Sequence, residues 1–171
     1  GNMDKNNERM TTMTMTKQPL RELVERYDYL KVSPKDKIRD VAILMPNHHT
    51  SAAVVLDWKD NLIGIVTEQD IVEKAIAVKR NVDETHIEDI MTQNPVTISI
   101  DAPFTEALQL MTQNGFRTLP VMDGIRVSGI IDIRDLYDAL NHLLEDEISI
   151  KDGLIAYSWG DEYGAGFRKA N

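Results

Sequence analysis

The sequence predicts a mixed α/β (α+β) domain built from two copies of one unit that pack with pseudo-twofold symmetry. The first observation is a duplication, because residues 32–76 and 98–142 follow the same pattern at a spacing of 66 residues, which becomes 65 after a turn. The second is that the block 64–71 recurs as 129–136. The third is that each copy alternates strand-like and helix-like segments. One copy is too small to bury a good core alone, so the two copies should share one.

The first helix of each copy is predicted from apolar residues at helical spacing, namely Ile38, Val41, Ala42 and Met45, matched by Phe104, Ala107, Leu108 and Met111. We expect Asp36 and Asp101 to cap the two N-termini. Gly115 should end the second of these helices in a left-handed conformation. Pro46 should end or distort the first helix one turn earlier.

Two strands and a second helix complete each copy, which gives the order β-α-β-β-α. Short extended segments at Val32 and Val96–Ile98 come first, and the buried strands are 52–56 with 62–66 in copy one and 118–122 with 127–131 in copy two. The second helices carry Ile71, Ala75 and Ile76 in copy one and Leu136, Leu140 and Leu143 in copy two.

The chain is divided into five segments. They are a tag scar and disordered arm (1–18), a short helix that packs on the core through Leu20, Leu23, Val24 and Tyr27 (19–29), copy one (30–83), copy two (84–143), and an acidic and aromatic-glycine tail (144–171). We expect the tail aromatics to pack across a dimer or partner surface, since exposed apolar surface usually marks a contact.

Composition excludes several classes of protein. The formal net charge of −9 argues against general nucleic-acid binding. The chain has no cysteine, which excludes disulfides and thiolate metal sites, and it shows neither a membrane-spanning run nor a signal peptide. We therefore expect a cytoplasmic protein without membrane insertion. His48 and His49 lack an acidic cluster at ligand spacing, so no metal site is predicted, and no catalytic constellation indicates an enzyme.

The ordered motifs resemble the CBS domain pair, or Bateman module. The residues that carry this resemblance are the lead-in 89–92 with Pro95 and Val96, the helix from Asp101 to Met111, the segment 115–123 and the Gly-x-x-Thr-x-x-Asp block at 64–70. The resemblance covers about residues 30–142 and implies two CBS repeats. It implies a regulatory, energy-sensing module that binds AMP, ADP, ATP or S-adenosylmethionine between the repeats and requires no cofactor.

The resemblance also implies a stand-alone homodimer that acts in trans on an unknown regulated protein. The alternative is a purely structural interaction module whose clefts are closed by side chains. A ligand that stabilises the wild type and has no effect on Asp70→Ala would separate these hypotheses.

Thr67 and Asp70 are the principal candidate ligand residues of the first cleft. A helix that begins at Thr67 would direct free N–H groups and a hydroxyl at an anion, and Asp70 could accept ribose hydroxyls. The same Thr-x-x-Asp spacing is that of a helix capping box, and both roles can coexist. The resemblance adds Thr92, Pro95 and Val96 at the base, and Arg117, matched by Ser51, against phosphates. The strand residue Ala52 completes the set, and a surface salt bridge is the alternative role of Arg117.

The second cleft is expected to be weaker. Asp132 stands where copy one has Thr67, and a carboxylate there would repel a phosphate. Arg134 compensates in part, while Asp135 and Thr118 match Asp70 and Ala52. We therefore predict that this cleft is empty or takes a less anionic adenosine ligand.

Overall fold

The computed structural model describes residues 19–151, and the chain divides into two compact units between Ile133 and Arg134. The predicted arm (1–18) and the aromatic part of the predicted tail (152–171) lie outside the described residues. The predicted mixed α/β class is confirmed, since helices alternate with strands that form two sheets.

The helices are α1 (Arg21–Val24), α2 (Ile38–Asn47), α3 (Glu68–Ile71, continued by a π-helix over Val72–Ile76), α4 (Phe104–Asn114) and α5 (Ile133–Lys151). The strands are β1 (Leu30–Val32), β2 (Ala52–Leu56), β3 (Leu62–Thr67), β4 (Thr92–Gln93), β5 (Ile98–Ser99), β6 (Thr118–Asp123) and β7 (Arg126–Asp132). A 3₁₀ turn over Ile87–Asp89 precedes β4.

The duplication read from the sequence extends to the register of the sheets. One sheet has the order β1-β2-β3-β4 and the other β5-β6-β7, each with a parallel pair followed by an antiparallel hairpin. Val32 lies opposite Val55, and Ile98 lies opposite Val121 at the matched position. Both hairpins shift register directly after that valine, so the copies share even this irregularity.

The central strand of copy one is buried along its whole length, which explains its unbroken apolar sequence. All five residues of β2 are buried, as expected for a strand with neighbours on both edges. The helix α2 buries Ile38, Val41 and Met45. The matched residues Phe104, Ala107 and Met111 are buried in α4, which confirms the predicted helical faces.

A short segment packs against each copy, and the predicted division of the chain placed that segment outside the copy. The first docking segment (residues 19–24) joins copy two, because the Leu20 amide donates to the Ala102 carbonyl at 2.9 Å. The second docking segment (residues 86–91) joins copy one, because the Ile87 amide donates to the Asp36 carbonyl at 2.8 Å. Leu20 and Ile87 are both fully buried, so each segment completes the core of the copy on which it docks.

Two glycines at matched positions allow this close approach. A Cβ on Gly64 would lie 2.5 Å from the Met91 sulfur atom of the second docking segment. A Cβ on Gly129 would overlap the Val24 side chain of the first. The glycines of the repeated block therefore provide room for the docking segments.

The predicted helix caps were wrong. Lys37 and Pro103 occupy the N-cap positions, and neither end has a side-chain cap. Asp36 instead accepts a hydrogen bond from the Ser33 amide at 2.8 Å, and Asp101 pairs with Arg21. The Asp36 carboxylate thus fixes the preceding turn, and the Asp101 carboxylate holds the first docking segment. The left-handed Gly115 at the end of α4, with φ 69°, is confirmed.

Several element lengths also differ from the prediction. The helix predicted over 19–29 is limited to α1, and Tyr27 is exposed, because the chain must extend to enter β1. Pro46 does not end the first helix one turn early, because a proline in the last turn removes only one amide donor. It lies inside α2, which spans ten residues, compared with eleven in α4.

The second helices of the two copies differ from the prediction as well. The helix predicted around Ile71, Ala75 and Ile76 is α-helical only to Ile71 and then continues as a π-helix. In copy two, the helix predicted through Leu143 continues to Lys151, so the first part of the predicted tail is helical.

Candidate functional site

Thr67 and Asp70 form a reciprocal capping box at the junction of β3 and α3. The Thr67 hydroxyl oxygen accepts from the Asp70 amide at 3.2 Å, and the Asp70 carboxylate accepts from the Thr67 amide at 3.0 Å. Thr67 keeps the extended backbone of a strand, so its carbonyl and side chain turn into the first helical turn. The capping role considered from the sequence is therefore confirmed.

The capping box leaves part of each side chain available. The Thr67 hydroxyl accepts one bond here and retains its proton, which can be donated to a second group. A carboxylate offers about four lone-pair directions, and the box uses one of them. The Asp70 side chain is 13% exposed, so its remaining capacity is reached from one side only.

Lys74 is a neighbour of Asp70 that the sequence analysis missed. Its ammonium nitrogen lies 3.0 Å from the second Asp70 oxygen and donates to the Ile90 carbonyl at 3.3 Å. Lys74 thereby links the capping box to the second docking segment. The i, i+4 spacing of an acid and a lysine was a signal that could have identified this pair.

Ser51 and Ala52 lie beside the same junction. The amide of Glu68, the first residue of α3, donates to the Ser51 carbonyl at 2.9 Å. Ala52 is the register partner of Thr67 in the β2–β3 pair. The structure therefore brings together four of the residues assigned to the first cleft: Ser51, Ala52, Thr67 and Asp70.

Thr92 lies along the other edge of β3, and Pro95 and Val96 follow it in the chain. Thr92 is the register partner of Ile65, two residues before Thr67, and the Asn94 amide donates to the Ile63 carbonyl at 3.3 Å. Thr92 is exposed, and Val96 is 43% exposed, so Val96 does not serve as ordinary core. Thr92 therefore offers backbone and side-chain groups at the surface next to the strand that ends in Thr67.

Copy two repeats the backbone arrangement with different side chains. Thr118 is the register partner of Asp132, and the Ile133 amide donates to the Arg117 carbonyl at 2.8 Å, as Glu68 does to Ser51. The Arg117 side chain is exposed and forms no salt bridge with any residue that the structure describes. Arg134 and Asp135 follow in α5, which belongs to the second compact unit.

The copy-one junction is equipped to bind a polar ligand. It offers a hydroxyl donor on Thr67, a carboxylate with spare lone pairs on Asp70 and an ammonium group on Lys74, which lie on successive turns of the chain. Among the side chains that the structure describes, no group of three His, Asp or Glu is placed to hold a metal ion. None of the helices in that part of the chain combines the length and apolar character that crossing a bilayer requires.

Comparison with known proteins gives matches along both copies. The family model of the CBS domain matches residues 15–77 and 87–142. An uncharacterized protein of Methanopyrus kandleri is 34% identical over 122 residues, which make up 71% of this chain and 62% of that protein. A CBS domain-containing protein of Arabidopsis thaliana is 43% identical over 94 residues, or 55% of this chain and 17% of that protein. The matched regions thus span less than two thirds of these relatives.

Solved structures share the fold. A CBS-domain containing protein from Agrobacterium tumefaciens superposes with a TM-score of 0.66 at 30% identity, covering 72% of this chain and 94% of that chain. The CBS domain pair of protein MJ0100, solved in complex with 5′-methylthioadenosine and S-adenosyl-L-methionine, gives a TM-score of 0.65 at 25% identity. That comparison covers 73% of this chain and 97% of the other.

Proposed function

The chain belongs to the CBS-domain family, and we propose that it is a regulatory module that binds an adenosine-containing ligand beside Thr67 and Asp70. The observation that carries the proposal is the capping box, which fixes both side chains at a strand–helix junction and leaves each with hydrogen-bonding capacity. The adenosine ligands of the MJ0100 domain pair support the ligand class. The proposed ligands are AMP, ADP, ATP or S-adenosylmethionine, and the adenine nucleotides would make the protein an energy sensor.

Each group of the site has a distinct task in this proposal. The Thr67 hydroxyl donates to a phosphate oxygen or another polar group at the 5′ end of the ligand. Asp70 accepts the ribose hydroxyls, whose neutral diol suits a carboxylate with spare lone pairs. Backbone groups around Thr92, Pro95 and Val96 receive the base, and Ser51 and Ala52 line the junction. Arg117 is proposed to approach the phosphates because its side chain is exposed.

In copy two we propose weaker binding of phosphate. Asp132 occupies the position of Thr67, and two anionic groups at close range repel each other. The less anionic ligand is therefore the one expected there, with Thr118, Arg134 and Asp135 as its proposed contacts.

Regulation would follow from a change in the population of two states. A ligand that contacts residues from both copies stabilises one relative orientation of them, by no more than its difference in affinity for the two states. A homodimer is part of the proposal, and the exposed apolar residues Ile43, Val72 and Ile76 on copy-one helices support it. We also propose that the module acts on a separate regulated protein. A cytoplasmic location is proposed because the chain has no cysteine, which fits a reducing compartment.

The direct test is a thermal-melt screen of wild type and Asp70→Ala with AMP, ADP, ATP and S-adenosylmethionine. A ligand at about 100 times its dissociation constant stabilises the fold by about 2.7 kcal/mol, or about 5–10 °C for a chain of this size. Asp70→Ala should abolish the shift, while Asp135→Ala at the matched position should retain it.

Because Asp70 also caps a helix, the unliganded Asp70→Ala protein should itself melt lower, by the equivalent of about 1 kcal/mol. The shift is therefore measured from each variant's own unliganded midpoint. Wild type without a shift for any ligand would contradict the sensing function and favour the structural interaction module.

A further inference from the structure

We propose that Lys74 is a specificity-determining residue that lets the copy-one site accept an anionic ligand. The inference rests on the proposed function and goes further, because it assigns the ligand's charge preference to one residue. Lys74 lies in the π-helix that follows α3, and such π segments are frequent at functional sites.

The ammonium group of Lys74 has a fixed position. It is held by the Asp70 carboxylate at 3.0 Å and by the Ile90 carbonyl at 3.3 Å. Ile90 is almost fully buried and directly precedes the segment that carries Thr92. The positive charge is therefore anchored between the capping box and the second docking segment, although the side chain is 44% exposed.

This charge offsets a repulsion built into the site. A phosphate that accepts from the Thr67 hydroxyl would lie close to Asp70, since the two side chains share one capping box. Two like charges at such range repel, and a fixed ammonium group beside the carboxylate cancels most of that repulsion. Lys74 occupies one lone pair of Asp70 and leaves others for the ribose hydroxyls.

Copy two keeps the matching carboxylate, Asp135, and lacks the lysine and the threonine of this device. Ala139 stands at the position that matches Lys74, and Asp132 at the position that matches Thr67. Its helix α5 is α-helical throughout, without a π segment. The charged lysine and the π-helix thus occur together in the copy that has the phosphate-compatible threonine.

The test compares a charged and an uncharged adenosine ligand on Lys74 variants. Affinities for AMP and 5′-methylthioadenosine are measured by calorimetry for wild type, Lys74→Met and Lys74→Arg. Lys74→Met should weaken AMP binding by about five- to tenfold, and the affinity for 5′-methylthioadenosine should change by less than about twofold. Lys74→Arg, which keeps the charge, should stay close to wild type for both ligands.

Equal weakening of both ligands by Lys74→Met would overturn the inference, because it would show a general structural role for Lys74. Unchanged AMP binding would overturn it as well. Wild type that binds neither ligand would refute an AMP site beside Thr67 and Asp70, and the inference with it. The wild-type titrations separate this last outcome from the first two, which are read from Lys74→Met.

A second inference concerns the docking segments and is independent of any ligand. We also infer that an inverted pair of charges determines which docking segment joins which copy. The two docking sites are otherwise equivalent: Arg21 and Glu88 occupy matched positions, and their amides donate to the matched carbonyls of Ile100 and Pro34, both at 3.0 Å.

The side chains at these matched positions have opposite charges. Arg21 pairs with Asp101 of copy two at 3.1 Å, whereas Glu88 pairs with Lys35 of copy one at 2.5 Å. If each segment docked on the other site, Arg21 would face Lys35 and Glu88 would face Asp101. Both wrong contacts would join like charges, so the inversion favours the observed arrangement.

Engineered cysteines can report the arrangement, because the chain has none of its own. Pro19 forms an isolated bridge with Pro103, and Lys37, the residue that matches Pro103, forms one with His86. In the triple variant Pro19→Cys/Lys37→Cys/Pro103→Cys, a 19–103 disulfide marks the observed docking and a 19–37 disulfide marks the wrong docking. Peptide mass spectrometry of the oxidised monomer gives their ratio.

Three charge backgrounds decide the inference. Wild-type charges should give almost only the 19–103 disulfide. Arg21→Glu/Asp101→Lys keeps an opposite pair in the observed arrangement but gives both wrong contacts opposite charges. It should raise the 19–37 fraction by about three- to tenfold.

The decisive control adds Lys35→Glu/Glu88→Lys to that background, which makes both wrong contacts repulsive again. The 19–37 fraction should then fall back to the wild-type level. Asp123 lies 3.6 Å from Arg21 and would repel the carboxylate introduced at position 21. This repulsion is the same in the double and quadruple variants, so it does not affect their comparison. An equal disulfide ratio in those two backgrounds would overturn the inference.

Discussion

The two copies have one backbone plan and different chemistry. At the end of β3, copy one has Thr67, and at the end of β7, copy two has Asp132, each as the register partner of the residue that begins the preceding strand. The amide of the next residue donates to the carbonyl of Ser51 in one copy and of Arg117 in the other. Duplication has thus preserved the backbone position of the junction, and we propose that substitutions within it determine which ligand charge each copy tolerates.

The largest expected effect tests whether the two docking segments contribute equally to stability. Leu20 and Ile87 occupy matched positions and are both fully buried. Leu20→Ala and Ile87→Ala should each lower the free energy of unfolding by about 2–5 kcal/mol, because each leaves a cavity in a closed core. Chemical denaturation measures both values. A Leu20→Ala variant as stable as wild type would show that only the second docking segment seals its copy.

The matched glycines should give a smaller and unequal loss. Gly129→Ala forces a methyl group into the stiff Val24 side chain, whereas Gly64→Ala meets mainly the flexible end of Met91. Overpacking of this kind costs about 1–3 kcal/mol, so Gly129→Ala should lie near the upper value and Gly64→Ala near the lower. Thermal melts measure the difference.

A rescue variant distinguishes steric overlap from a backbone effect. The double variant Gly129→Ala/Val24→Ala should lose less stability than the sum of the two single losses, because the shortened side chain at position 24 makes room for the new methyl group. Strict additivity of the two losses would contradict the contact between them.

The smallest expected effect concerns Asp57 in the hairpin turn of copy one. In copy one, hydrogen bonds from the Asn61 backbone and side chain and from the Lys59 amide hold the pKa of Asp57 below its ordinary value. A lowered folded-state pKa stabilises the fold above about pH 5, and this contribution disappears as the pH falls below about 4 and then through the folded-state pKa. The melting difference between wild type and Asp57→Ala should therefore shrink on acidification. A difference that grows toward low pH would have the wrong sign.

The sequence was sufficient for the repeated part of the fold because its spacing is strict. Apolar residues such as Val55 and Val121 recur at one interval, and their strands have the same register. Packing of Leu20, Leu23 and Val24 on the core was predicted, but the reciprocal docking was missed although these residues match Ile87, Ile90 and Met91 at a spacing of 67. Local periodicity does not reveal which distant copy such a segment joins, since the hydrogen bond from Leu20 to Ala102 spans both repeats.

The site was predicted in part for the same reason. Thr67 and Asp70 lie three residues apart, so their capping box is a local property that spacing predicts. The role of Lys74 depends on the Ile90 carbonyl, which only the folded second docking segment brings near. The predicted caps at Asp36 and Asp101 failed because other partners, the Ser33 amide and Arg21, compete for those carboxylates.

We propose that copy one binds an adenine nucleotide and that Asp132 prevents copy two from doing so. The most direct measurement is the stoichiometry of AMP binding by calorimetry for wild type, Asp70→Ala and Asp132→Thr. We predict one AMP per chain for wild type, none for Asp70→Ala, and a second, weaker site for Asp132→Thr. AMP binding at full stoichiometry in Asp70→Ala would contradict it.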